Sequence, residues 1–129
     1  MREYAVPAGS HPHDVACATQ TADEPIWFTA QSTGHLGWLN PVTEEVRLTP
    51  LAPPGQRSAP HGVIVGPDGF VWITDGGLNA LHRFDPETET FESFPHPRPN
   101  AEVRQLLGRP GEVWGALSTQ DKLMVMRRS

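Results

Sequence analysis

A single cysteine, Cys17, stands among 129 residues, so no intramolecular disulfide can staple this fold. Its neighbours Val15, Ala16 and Ala18 are apolar, which predicts a buried strand thiol rather than a nucleophile. No apolar run approaches the roughly 18 residues of a membrane span. Basic charge is scarce as well. A formal net charge of −5 argues against nonspecific nucleic-acid binding, which needs a basic footprint. The opening residues, Met1 to Pro7, lack the apolar core of a signal peptide, and a cytoplasmic protein is expected. The sequence also shows no Ser-His-Asp pattern, phosphate loop or cysteine cluster that would point to another enzyme class.

Turn chemistry is abundant. The chain has 12 Gly and 14 Pro, yet 4 Trp and 5 Phe are available to bury, so the pattern fits many tight turns rather than disorder. The clearest stretch runs from Pro60 to Phe94. Its short runs are Pro60–Val65, Phe70–Asp75, Leu81–Phe84 and Thr90–Phe94, rich in β-branched and aromatic residues. Between them lie Gly66-Pro67-Asp68-Gly69, Gly76-Gly77-Leu78-Asn79 and Asp85-Pro86-Glu87-Thr88. That alternation predicts a four-stranded antiparallel meander. Asp68-Gly69 is expected to supply the positive φ values of a tight hairpin, and Asp85-Pro86 to open a type I turn.

The same pattern is written three times. Trp27 and Trp72 are 45 positions apart, as are Pro41 and Pro86, and Thr43 and Thr88. Gly66, Gly69 and Trp72 recur 42 positions later as Gly108, Gly111 and Trp114. A period in the low forties with four strands per unit is that of propeller blades. The fold class predicted is therefore all-β: one β-propeller-type domain over residues 1–129, with blades at about 11–50, 59–96 and 101–127. Residues 3–7 read like the fourth strands of the complete units, while the third unit has none. Residues 3–7 are therefore expected to complete the last blade and cover its edge. The Pro-rich stretches 49–58 and 95–100 are read as crossings between blades. Known propellers typically have four to eight blades, so three blades predict a homodimer that completes six, or a shortened derivative of a longer ring.

The wording of the repeats resembles the virginiamycin B lyase (streptogramin B lyase) family of β-propellers. The resemblance rests on Pro12-His13-Asp14-Val15-Ala16, Ile26-Trp27-Phe28-Thr29-Ala30-Gln31, Ala59-Pro60-His61-Gly62-Val63, Val71-Trp72-Ile73-Thr74-Asp75-Gly76-Gly77 and the run Asn100 to Ala116. It implies Mg²⁺-dependent linearisation of a streptogramin B cyclic depsipeptide, and so antibiotic resistance, by elimination at the ester bond. A His acts as base and hard oxygen ligands hold the metal. In the family's Glu-Pro-His motif the His matches His13 and His61. The first Glu is replaced by His11 and Ala59, and a later Glu by Ala30 and Asp75; the third copy has Val103 where the His would be.

The resemblance thus implies His61 and His13 as catalytic residues, Asp75 as the metal ligand, and a small cyclic peptide as partner. His11 and Glu102 join Asp75 as candidate ligand-binding residues. Each has a structural alternative. The repeated His can bond a turn in every blade, Asp75 can cap the Gly-Gly turn, Glu102 can form a local ion pair, and two alternate His residues are weak evidence of a metal clip. The competing function is a non-catalytic propeller module that binds a ligand or assembles.

Overall fold

Residues 1–127 are described in the computed structural model, and among them there is no α-helix. Among these residues eleven strands form three antiparallel sheets of four, four and three strands. The first blade holds β1 (Pro12–Ala16), β2 (Ile26–Ala30), β3 (His35–Leu39) and β4 (Val46–Pro50). The second holds β5 (Pro60–Val65), β6 (Val71–Asp75), β7 (Ala80–Asp85) and β8 (Thr90–Pro95). The third holds β9 (Val103–Arg109), β10 (Glu112–Leu117) and β11 (Lys122–Arg127). The first strands of the blades, β1, β5 and β9, lie side by side and form the inner edge of an arc.

Strand alternation builds the core. In the first blade Trp27 faces Trp38 across the pair, while Phe28 faces Gly37 from the opposite side. Trp27 meets Phe84 of the second blade edge-on at 5.7 Å, closing a cluster of Leu36, Leu51, Val63, Val71, Ile73 and Phe84. One blade on, Trp72 turns towards the third blade and packs with Leu81, Val113, Met124 and Met126. Trp27 and Trp72 therefore each seal their blade against the next.

The turns repeat in register. Asn40 and Asp85 each accept an amide two residues on through a side-chain oxygen, and each carbonyl accepts the amide of the residue four on. Glu44 and Glu89 end these turns with positive φ, so the type I start expected at Asp85-Pro86 is followed by a left-handed residue. At Asp68-Gly69 only Gly69 has positive φ, +87°. The Gly69 amide bonds the Gly66 carbonyl, and the Gly66 amide bonds the Phe70 carbonyl. This is a longer hairpin loop than the two-residue turn expected.

Two expectations are corrected. Residues 3–7 do not form a strand and do not complete the third blade within the chain. They lie beside the first blade: Arg2 pairs with Glu44 at 3.2 Å and the Ser10 carbonyl accepts the Ser32 amide. The reason is geometric, since the second blade separates the first from the third. Cys17 is half-buried just past the end of β1 rather than buried within it.

Candidate functional site at the mouth of the arc

The inner strands of the first two blades begin with the same irregularity. The register slips between Pro12 and Val15 in β1 and between Pro60 and Val63 in β5. Such bulges re-aim a side chain, and the residues inside them include His13 and His61. A threonine holds each bulge. Thr29 Oγ1 accepts the Asp14 amide at 3.1 Å, and Thr74 Oγ1 accepts the Gly62 amide at 2.8 Å. Both threonines stand two residues after the blade Trp, a repeat visible in the sequence but not recognised as functional there.

The first two blades are locked together at this end. Thr29 Oγ1 donates to the His61 carbonyl at 2.8 Å, and Asp14 Oδ2 accepts the Val63 amide at 3.1 Å. The result brings the rings of His13 and His61 to a centroid distance of 5.2 Å, edge to face. The His61 ring is oriented from both sides. Nδ1–H donates to the Ala59 carbonyl and Nε2 accepts the Gln31 side-chain amide, each at 3.0 Å. A carbonyl can only accept, so this bond fixes the Nδ1–H tautomer and leaves the Nε2 lone pair directed at Gln31. Gln31 is a site residue that sequence reasoning missed, because its partner lies 30 positions away on another blade.

The other candidates are placed differently. His11, with φ of +49°, bonds Ser32 Oγ through Nδ1 at 2.8 Å and is exposed beside the β2–β3 turn. Glu102 is exposed, has φ of +49°, and its carbonyl accepts the Ser118 hydroxyl. It lies just before β9 and is not brought against the two His rings.

Asp75 is buried in the blade. Its Oδ1 accepts the amides of Ala59 and Leu78, and its Oδ2 accepts Ser58 Oγ at 2.5 Å and His82 Nε2–H at 2.8 Å. Burial alone would raise its pKa. The hydrogen bonds from His82, Ser58, Ala59 and Leu78 outweigh that and hold the carboxyl at about 2. His82 Nδ1 then accepts Ser93 Oγ–H at 2.7 Å, so β6, β7 and β8 are joined by an Asp75–His82–Ser93 row that the sequence pattern did not reveal. Ser93 stands on the outermost strand, across the blade from β5 and the His pair, so this row is a strut and not a nucleophile at the mouth.

These donors do not fit the Mg²⁺ implied by the family resemblance. Both Asp75 oxygens already accept two bonds each, leaving no lone pair for a hard cation. Among the described residues no three His, Cys, Asp or Glu side chains come together as a metal site.

No sequence-family profile matches the chain, and no curated protein matches it in sequence. Solved structures do. Virginiamycin B lyase from Staphylococcus aureus superposes with a TM-score of 0.77 at 20% identity, covering 99% of this chain and 45% of that one. A streptogramin B lyase gives 0.76 at 22% identity, covering 98% and 44%. The periplasmic gluconolactonase PpgL of Pseudomonas aeruginosa gives 0.72 at 21% identity, covering 95% and 37%. This chain spans less than half the length of each of these proteins. It carries, as a three-bladed arc, the β-propeller fold of virginiamycin B lyase.

Proposed function

We propose that the chain is a virginiamycin B lyase-like protein that binds a streptogramin B-type cyclic depsipeptide at the His13–His61 mouth, with His61 as the proton-accepting group. The observation that carries this reading is the oriented imidazole. A backbone carbonyl holds Nδ1–H, and Nε2 keeps its lone pair at the mouth on a neutral Gln31 amide that a ligand can displace. In the elimination, Nε2 takes the proton from the ring carbon that lies between an amide carbonyl and the carbon bearing the ester oxygen. The C–H electrons form a carbon–carbon double bond, the ester C–O bond breaks, and the carboxylate leaves still attached to the chain of the opened ring. His13, edge-on at 5.2 Å, offers a second polar contact.

A second reading, binding without turnover, is favoured by the saturation of Asp75 and by the absence, among the described residues, of three His, Cys, Asp or Glu side chains grouped to hold a metal. Incubating the chain with a streptogramin B and separating the products by mass spectrometry and chromatography tests both. The proposal expects binding that His61→Ala weakens, and a slowly formed linear product of unchanged mass. Binding with no product leaves the binding reading alone; no binding overturns both.

A further inference from the structure

The two blade junctions in this chain are built alike. One face of the first blade, carrying Trp27 and Leu36, is covered by Phe84, Val71 and Ile73 of the second. The matching face of the second blade, carrying Trp72 and Leu81, is covered by Val113, Met124 and Met126 of the third. Among the described residues no other blade covers the corresponding face of the third, where only Arg109 and Arg127 of the same blade lie over the Trp114 ring. Leu107, Trp114, Ala116 and Leu123 line a concavity of about 470 Å³ there, with Leu107 66% and Leu123 72% exposed.

The chain also carries the other half of such a junction. The first blade's open face is the Phe28 side, where Ile26, Leu39, Val46 and Leu48 are only half-buried. Leu39 pairs with Ile26 and Val46 as Phe84 pairs with Val71 and Phe91, so Leu39 holds the place of the residue on which Trp27 packs. The N-terminal segment gives an independent sign. Arg2 is fixed at the β3–β4 turn and Ser10 at the β2–β3 turn, so residues 3–9 run along the first blade from one end to the other. That is the direction of β4 in its own blade, the direction of a fourth strand, and it is antiparallel to the unpaired outer side of β11 in a blade docked there.

We propose that two copies of this chain close a six-bladed ring, the open face of the third blade packing on the open face of the first blade of the other copy. Trp114 then seals its blade on Leu39 of the second copy, and residues 3–7 of that copy add a fourth strand to β11. Two such head-to-tail junctions close on themselves. The N-terminal strand expected to complete the last blade does so between copies. The occupant is a second copy because the surface needed is another blade's Phe28-type face, and the chain itself presents one.

Sedimentation equilibrium on the full chain tests this without reference to ligand. The expected particle has twice the 14.2 kDa chain mass at micromolar concentration. Leu107→Asp and Leu123→Asp place an unpaired charge in the junction and should weaken association by about 100-fold each. Both side chains are exposed in the single chain, so far-UV circular dichroism should not change. Deleting residues 1–7 should weaken association less. A wild-type monomer, an open series of oligomers, or a dimer indifferent to both Asp variants would each overturn the proposal. None of these results depends on whether a streptogramin binds.

Discussion

The second and third blades are copies of one pattern with opposite fates. In the second, both faces are covered: Trp72 is 2% exposed and Ile73 is fully buried, and Asp75, His82 and Ser93 tie three of its strands together. In the third, Trp114 keeps its place in the strand but looks out from an open face, and the positions of Asp75 and His82 hold Leu117 and Met124. A blade's stability is thus conferred largely by its neighbours. The repeat supplies strands and turns, while junctions supply the burial that offsets chain entropy. The difference also separates scaffold from candidate site, since the buried Asp75 and His82 act as struts while the His pair stands at the partly exposed inner edge.

The largest effect should come from breaking the covered blade. Ile73→Ala removes a side chain buried in the junction between the first two blades and should cost about 3–4 kcal/mol, whereas Leu123→Ala in a dilute monomeric sample should cost less than about 0.5 kcal/mol. Paired urea melts of the two variants check this, and equal costs would remove the distinction drawn between the blades.

Next in size is the approach of β9 to β5. A Cβ at Gly62 would lie 2.4 Å from the Arg104 carbonyl oxygen, a backbone atom that cannot swing aside. Gly62→Ala should therefore destabilise by about 2 kcal/mol and disturb His61 next to it. Thermal melting and the His61 imidazole resonance check this, and a neutral outcome would contradict the close approach of the inner strands.

The strut in the second blade has a pH signature. The Asp75 carboxyl is lowered from 3.8 to about 2, so its contribution is complete above pH 4 and is lost as pH falls through about 2. A shift of that size corresponds to about 2 kcal/mol. Stability of wild type and Asp75→Asn followed from pH 5 to pH 2 should differ most at the upper end and converge at the lower. Parallel curves would mean that the carboxyl is not held by His82 and Ser58.

A smaller effect than at the strut should come from the lock between the first two blades. Thr29→Val removes the hydroxyl that accepts from Asp14 and donates to the His61 carbonyl, and should cost about 1 kcal/mol. Its sharper readout is a loosened His13–His61 contact, visible as altered ring-proton shifts.

Most of the fold was legible because the signals are local and recur. Trp27, Trp72 and Trp114 mark the second strand of each blade, and Asn40 and Asp85 mark equivalent turns that share a side-chain bond to the amide two residues on and a backbone bond to the amide four residues on. The placement of residues 3–7 was not legible, since their composition specifies an outer strand but not whose blade it joins. The geometry of the candidate site was legible in part. His13 and His61 were singled out by their repeated position, and the bulges do bring them together. Gln31 was hidden because its bond to His61 crosses between blades. Asp75 read as a site carboxylate because its strand matches a family motif, but the side chains that saturate it, Ser58 and His82, come from a crossing and another strand at no repeating interval.

The most direct test of the account is nitrogen-15 NMR of the imidazoles, recorded before and after adding a streptogramin B. The account predicts His61 as the Nδ1–H tautomer in the free protein, and a change at Nε2 of His61 with a smaller one at His13 when the antibiotic displaces the Gln31 amide. A His61 found as the Nε2–H tautomer, or resonances of both rings unmoved at saturating antibiotic, would contradict it.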